Sequence, residues 1–203
     1  MRPQQGFNLV ELMIGIVIFS LLMTLAFPVF TTFLGNTKIR NAAETTMHGI
    51  TLARAEAVRR NSAVRFQLVS SLTAACVLDA TSLNWVVSVS DPTGDCASTP
   101  GGAVAPQIVQ VKSAAEGTTI GTTGVSSVTV QTTGAPSLVF NGLGRVTGAG
   151  ITRMVFRSPA GGTCEHEDAA GKMRCMQIEV STAGAAKICD PKVTDVTDPR
   201  KCS

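Results

Sequence analysis

The residue with the plainest chemical demand in this chain is Glu11, the one ionisable side chain in FNLVELMIGIVIFSLLMTLAFPVF, Phe7 to Phe30. A carboxylate near the centre of a membrane-length apolar segment costs about 2.5–3.5 kcal/mol, and less toward an end, so it has a partner or a task. A lone carboxylate can relay protons or form an ion pair, and the pair explains Glu11 with fewer assumptions. Material for catalysis is scarce elsewhere. His48 and His166 stand in no Ser/His/Asp or paired-carboxylate spacing, and GRVTGAG from Gly144 follows no phosphate-loop or dinucleotide pattern. The chain reads as a non-enzyme, and no cofactor is expected.

Six cysteines, Cys76, Cys96, Cys164, Cys175, Cys189 and Cys202, all lie beyond the apolar segment. An even count in an exported domain points to disulfides formed in an oxidising compartment. Six cysteines allow fifteen connectivities, among which the sequence does not choose; the expectation is the sequential set, Cys76 with Cys96, Cys164 with Cys175, Cys189 with Cys202. Each pair would enclose a polar or Gly/Pro-rich loop. A metal site at Cys164, Glu165, His166 and Cys175 is the lesser reading, because zinc favours two close ligand pairs and only one C-x-H is present. Asp91 and Asp95 flank a Pro-Thr-Gly turn without calcium-loop spacing, so turn chemistry accounts for them. No metal is expected.

These side chains need elements to hold them. Leu12 to Phe30 is nineteen residues without a charge, which at about 1.5 Å rise per residue approaches the thickness of a bilayer core. A secretory signal would be shorter and followed by a small-x-small site, which Pro28 to Thr32 lacks. A plain anchor explains the length but neither Glu11 nor the glycine before Phe7. A third reading makes MRPQQG a leader removed after Gly6, so that Phe7 becomes the N-terminus and Glu11 the fifth mature residue.

GFNLVELMIGIVIFSLLMTLAFP, with Gly6, Phe7, Glu11 and Pro28, resembles the N-terminal signature of type IV pilins and type II secretion pseudopilins. The resemblance implies cleavage after Gly6 and N-methylation of Phe7 by a membrane peptidase, then assembly into a helical filament. Glu11 would face the Phe7 ammonium of a neighbouring subunit, a pairing that fixes register because either charge left alone is costly. The alternative is an intrachain pair, since Phe7 and Glu11 are i,i+4 neighbours.

Beyond Pro28 the pattern turns amphipathic. Ile39, Ala42, Ala43, Met47, Ile50, Ala53 and Ala57 recur at helical steps, and Arg59-Arg60-Asn61 supplies cations and a breaker at the end. One long helix to about Arg60 is expected, loosened or bent at Pro28. Short strands follow: Val64–Leu68, Trp85–Val89, Ile108–Val111, Val128–Gln131, Leu138–Phe140, Met154–Arg157 and Met176–Val180, with a hairpin through Ala183-Gly184 to Cys189. The fold class is α+β, a long helix packed on an antiparallel sheet head with disulfides. The division is residues 1–6 as leader, 7–34 as transmembrane and filament-core helix, and 35–203 as a globular head that includes the second half of the helix. Residues 90–124, rich in Gly, Thr, Ser and Ala, read as a decorated loop or a pair of edge strands.

A net charge of +3 and a charged fraction of 15% leave electrostatic arguments local, and one Trp with no Tyr argues against a stacking platform for bases or sugars. LARAEAVRRN with VRFQL after it, FNGLGRV, and ICDPKVTDVTDPRKC make the head similar to FimT/FimU-type minor pilins and the H pseudopilin. That implies a minor type IV pilin acting in initiation of pilus assembly at or near the tip. Implied partners are other minor and major pilins, the prepilin peptidase, the inner-membrane assembly platform and a tip adhesin. Its place is the bacterial inner membrane, single-pass with a periplasmic head, then the pilus at the cell surface. The alternative is a minor pseudopilin of a type II secretion system. A further alternative is a DNA-binding subunit of a competence pilus. Gly184-Ala185-Ala186-Lys187 lacks both arginines of the G-R-x-R motif that the resemblance associates with DNA, leaving Arg145, Arg153, Arg157 and Lys187 as candidate contacts.

Overall fold

The computed structural model describes residues 8–117, 127–158 and 162–203, without the side chains of residues 25–29. Gly6 and Phe7 lie outside the described residues.

Helix α1 runs from Leu9 to Arg60 as one element and does not end at Pro28. Its termination is local. Asn61 takes the left-handed conformation (φ 48°, ψ 40°) and its N–H bonds back to Ala57 and Val58, while Arg59 and Arg60 supply positive charge at the negative end of the helix dipole.

Eight strands follow: β1 (Val64–Val69), β2 (Asn84–Ser88), β3 (Ile108–Lys112), β4 (Thr129–Thr133), β5 (Ser137–Phe140), β6 (Arg153–Arg157), β7 (Met176–Val180) and β8 (Ala186–Cys189). They form two four-stranded antiparallel sheets, ordered β3-β2-β1-β5 and β4-β6-β7-β8. The head is thus α+β with a divided sheet. The hairpin expected around Ala183-Gly184 joins β7 to β8, and Gly184, at φ 80°, approaches the Gly144 carbonyl so closely that a Cβ would lie 2.0 Å from it. Residues 90–107 form a loop stapled at Cys96, and β3 is the one strand described between residues 90 and 117.

The amphipathic stripe is the core face of the helix. Ile39, Ala42, Ala43, Ile50, Ala53 and Ala57 are buried and Met47 is half-buried against the same core. Small residues let the helix lie close to the sheets, as at Gly49, where a Cβ would meet Phe66 Cε2 at 2.9 Å and two Trp85 ring atoms at 3.1 Å. Phe66 and Trp85, on paired strands, form a tilted ring pair with centroids 5.8 Å apart. From the second sheet Met154, Phe156 and Ile178 complete the core. A smaller apolar cluster of Val69, Cys76, Val86, Cys96 and Ile108 fills in behind the first sheet.

Three disulfides join Cys76–Cys96, Cys164–Cys175 and Cys189–Cys202, with Cα separations of 6.0, 5.5 and 5.1 Å. The first lies in that second cluster, and the last ties the C-terminal segment to β8.

Candidate assembly interface

The N-terminal part of α1 has no fold to lean on. From Leu9 to Met23, twelve large apolar side chains are each more than half exposed. That apolar surface is far larger than a soluble monomer carries, so it belongs against lipid or other apolar helices. Among the described residues no helix is long and apolar enough to cross a membrane. The described apolar side chains stop short of residues 25–29, through which the uncharged run continues to Phe30 in the sequence.

Glu11 sits on this arm, exposed, and no ion pair reaches it among the described residues. It shares a shallow face with Leu12, Gly15, Ile16 and Phe19, and a Cβ on Gly15 would meet nothing within 4 Å. A neighbouring helix could therefore come close one turn beyond the carboxylate.

The junction of arm and head is built from residues far apart in the chain. Asn36 Oδ1 accepts the Arg174 backbone N–H at 2.8 Å, and Arg174 Nε donates to buried Asp190 at 2.8 Å. Met173 packs over Gly35, where a Cβ would lie 2.6 Å from its Cε. These contacts fix where the arm leaves the head. No sequence signal marked them, because Asn36 and Arg174 are 138 residues apart.

On the outer face of the second sheet, Arg153 and Lys187 both stand opposite Glu179 in register. They line one groove of about 560 Å³, with Lys187 Nζ 3.7 Å from Glu179. Burial pushes the Glu179 carboxyl up, but hydrogen bonds from Ser203, the charge of Lys187 and a hydrogen bond from Gln177 together hold it below its ordinary value. Arg157 is paired with Glu167, and Arg145 sits in the β5–β6 loop outside that groove. The four candidate cations are not one patch: two flank Glu179, one is paired with Glu167 elsewhere and one stands apart.

The residues weighed as metal ligands are otherwise engaged. Cys164 and Cys175 are joined to each other, Glu165 pairs with Lys192, and His166 Nε2 lies 3.8 Å from Glu167. Glu179 lies near Cys189 and Cys202, but those sulfurs form a disulfide and offer no thiolate. Asp91 closes its turn by accepting the hydroxyl and N–H of Thr93 at 2.7 and 3.1 Å, and those bonds hold its carboxyl below the usual range.

An uncovered apolar arm whose one carboxylate has no ion pair among the described residues, continuous with a disulfide-stapled head, defines a subunit meant to be covered by something else. The comparisons with known proteins agree. The prokaryotic N-terminal methylation motif matches residues 1–27, and the model for type II transport protein GspH matches residues 42–184. The chain belongs to the GspH family of minor type IV pilins and pseudopilins, whose members are membrane-anchored structural subunits rather than enzymes. No curated protein matches it. Two crystal structures of the type IV minor pilin FimU of Pseudomonas aeruginosa (strain PAO1) are similar at 15% identity, with TM-scores of 0.43 and 0.40. The alignments cover 74% and 73% of this chain and 87% and 90% of those chains.

Proposed function

We propose that this chain is a minor type IV pilin that helps initiate pilus assembly at or near the tip. The observation that carries the reading is Glu11, a carboxylate without an ion pair among the described residues, on an exposed apolar helix within the matched methylation motif. Residues 1–6 are removed after Gly6, the Phe7 amine is methylated, and residues 7–34 hold the subunit in the inner membrane with the head, residues 35–203, in the periplasm. Assembly moves the arm from lipid into a core of similar helices. Both surroundings are apolar, so close packing at Gly15 and pairing of Glu11 with a neighbour's Phe7 ammonium decide the direction. Pro28 relaxes the helix where the arm must adapt. Partners are other pilins, the prepilin peptidase, the assembly platform and a tip adhesin.

The second reading, a minor pseudopilin of type II secretion, is favoured by the matched family's own description. Against it stands the C-terminal segment from Ile188, with its CDP and DPR elements, which lies beyond the matched residues. Nothing gathers Arg145, Arg153, Arg157 and Lys187 into a DNA-binding surface, so that alternative has no support from the geometry.

The test is deletion of the gene, with surface filaments, twitching motility and secreted enzymes measured in the same cultures. Loss of filaments and motility with normal secretion supports the pilus. Loss of secretion with intact filaments supports the pseudopilus.

A further inference from the structure

We propose that the groove where the arm meets the head binds the headgroup of an anionic phospholipid while the subunit waits in the membrane. The proposal rests on the membrane-anchored reading above. The groove holds about 530 Å³ and is lined by Phe33, Met176 and Ile188 on its apolar side and by Arg40, Arg174, Arg200 and the carboxylate of Asp190 on its polar side.

Two observations identify the occupant. The first is position. Phe33 lies three residues beyond Phe30, where the apolar run gives way to Thr31 and Thr32, and Arg40 lies ten beyond it, which is about 4.5 and 15 Å along the axis at the usual helical rise. The headgroup layer on each side of the hydrocarbon is about 5–8 Å thick. With the arm in a bilayer, the groove therefore opens at the headgroups and just outside them, and its apolar side is continuous with the exposed arm residues Phe30, Phe33 and Leu34.

The second is charge. Three guanidinium groups converge from three parts of the chain, and carboxylates orient each of them. Arg40 meets Glu44 at 2.7 Å and Arg174 meets Asp190 at 2.8 Å, both through Nε. Among the described residues no hydrogen bond from the Nη groups of either is present, so both keep paired donors for phosphate oxygens. Arg200 is held by Asp198 at 2.7 Å, and those bonds raise its already high pKa, keeping it cationic. Phosphate beside arginine, with an acyl chain beside Phe33, satisfies both sides of the groove. A free anion satisfies only one.

The experiment uses the full chain in nanodiscs of phosphatidylcholine with and without phosphatidylglycerol, with lipids retained on the extracted protein counted by native mass spectrometry. The expected result is retention of phosphatidylglycerol about tenfold above its share of the bilayer, falling as salt is raised. Arg40→Gln with Arg200→Gln should remove that preference, while Arg145→Gln with Arg153→Gln, equal in charge change but outside the groove, should leave it. Equal retention of both lipids overturns the proposal, as does an equal effect of the two double variants. If Arg40→Gln with Arg200→Gln lowers incorporation into filaments and leaves lipid retention unchanged, the groove belongs to a neighbouring subunit and the proposal is wrong. A chain that enters neither nanodisc overturns the anchored reading itself, a result distinct from insertion without lipid preference.

Discussion

Replacing Gly49 with alanine sets two known effects against each other at a close approach of helix to sheet. In a helix interior, alanine is favoured over glycine by about 1 kcal/mol. Here the new Cβ would sit 2.9 Å from Phe66 and 3.1 Å from Trp85, rings that are themselves fully buried and packed on each other. Overpacking of this kind costs about 1–3 kcal/mol, so the net expectation for Gly49→Ala is a loss of about 1 kcal/mol. For a chain of this size that is a fall of roughly 2–4 °C in the unfolding midpoint. Gly49→Val adds two methyl groups against the same rings and should lose about 3 kcal/mol or fail to fold. The assay is thermal unfolding of the full chain in detergent, followed by near-UV circular dichroism of Trp85, the one tryptophan. Gly15→Ala, with open space around its Cβ, should leave the midpoint of the head unchanged. A rise in midpoint for Gly49→Ala would refute the reasoning, because it would mean that the rings yield and that helix propensity outweighs packing.

Glu11→Ala should fold normally yet enter filaments much less efficiently than the parent; equal incorporation, measured by quantitative blotting of sheared filaments, would remove the pairing with Phe7. Replacing Cys189 and Cys202 together with serine should cost about 3 kcal/mol, from the loop entropy of their 13-residue separation. It should also make the C-terminal segment the first site of limited proteolysis. Glu56, hydrogen-bonded by Arg59 and Arg60, has its carboxyl lowered from 4.5 to about 2. Its folded-state pKa is depressed, so its stabilisation is complete above pH 4.5 and is lost as pH falls toward 2. Arg59 is largely exposed and screened by solvent, which limits the effect to about 1 kcal/mol. Glu56→Gln should flatten that part of the acid limb in an equilibrium unfolding series.

Much of this protein was legible in the order of its residues, and the reason is that the relevant physics is local. The uncharged run, Glu11 just before it and the glycine before Phe7 depend only on neighbours in the chain. So does the stripe from Ile39 to Ala57, whose period follows from helix geometry, and so does the stop at Asn61. Strand positions were readable from alternation to within a residue or two. Disulfides as such were readable from six cysteines in an exported head, but the residue order left fifteen connectivities open, and the structure has the sequential set expected from the loops each pair encloses.

What the residue order could not decide was adjacency across the fold. Alternation places strands but does not say that β1 takes both β2 and β5 as neighbours while β4 turns away to begin a second sheet. Like sign made Arg145, Arg153, Arg157 and Lys187 a plausible patch, but cross-strand register puts Glu179 between two of them and Glu167 beside a third. The union of Asn36, Arg174 and Asp190 joins the base of the helix to the end of the head. Such contacts depend on where the chain returns, and only packing of the helix against both sheets determines that.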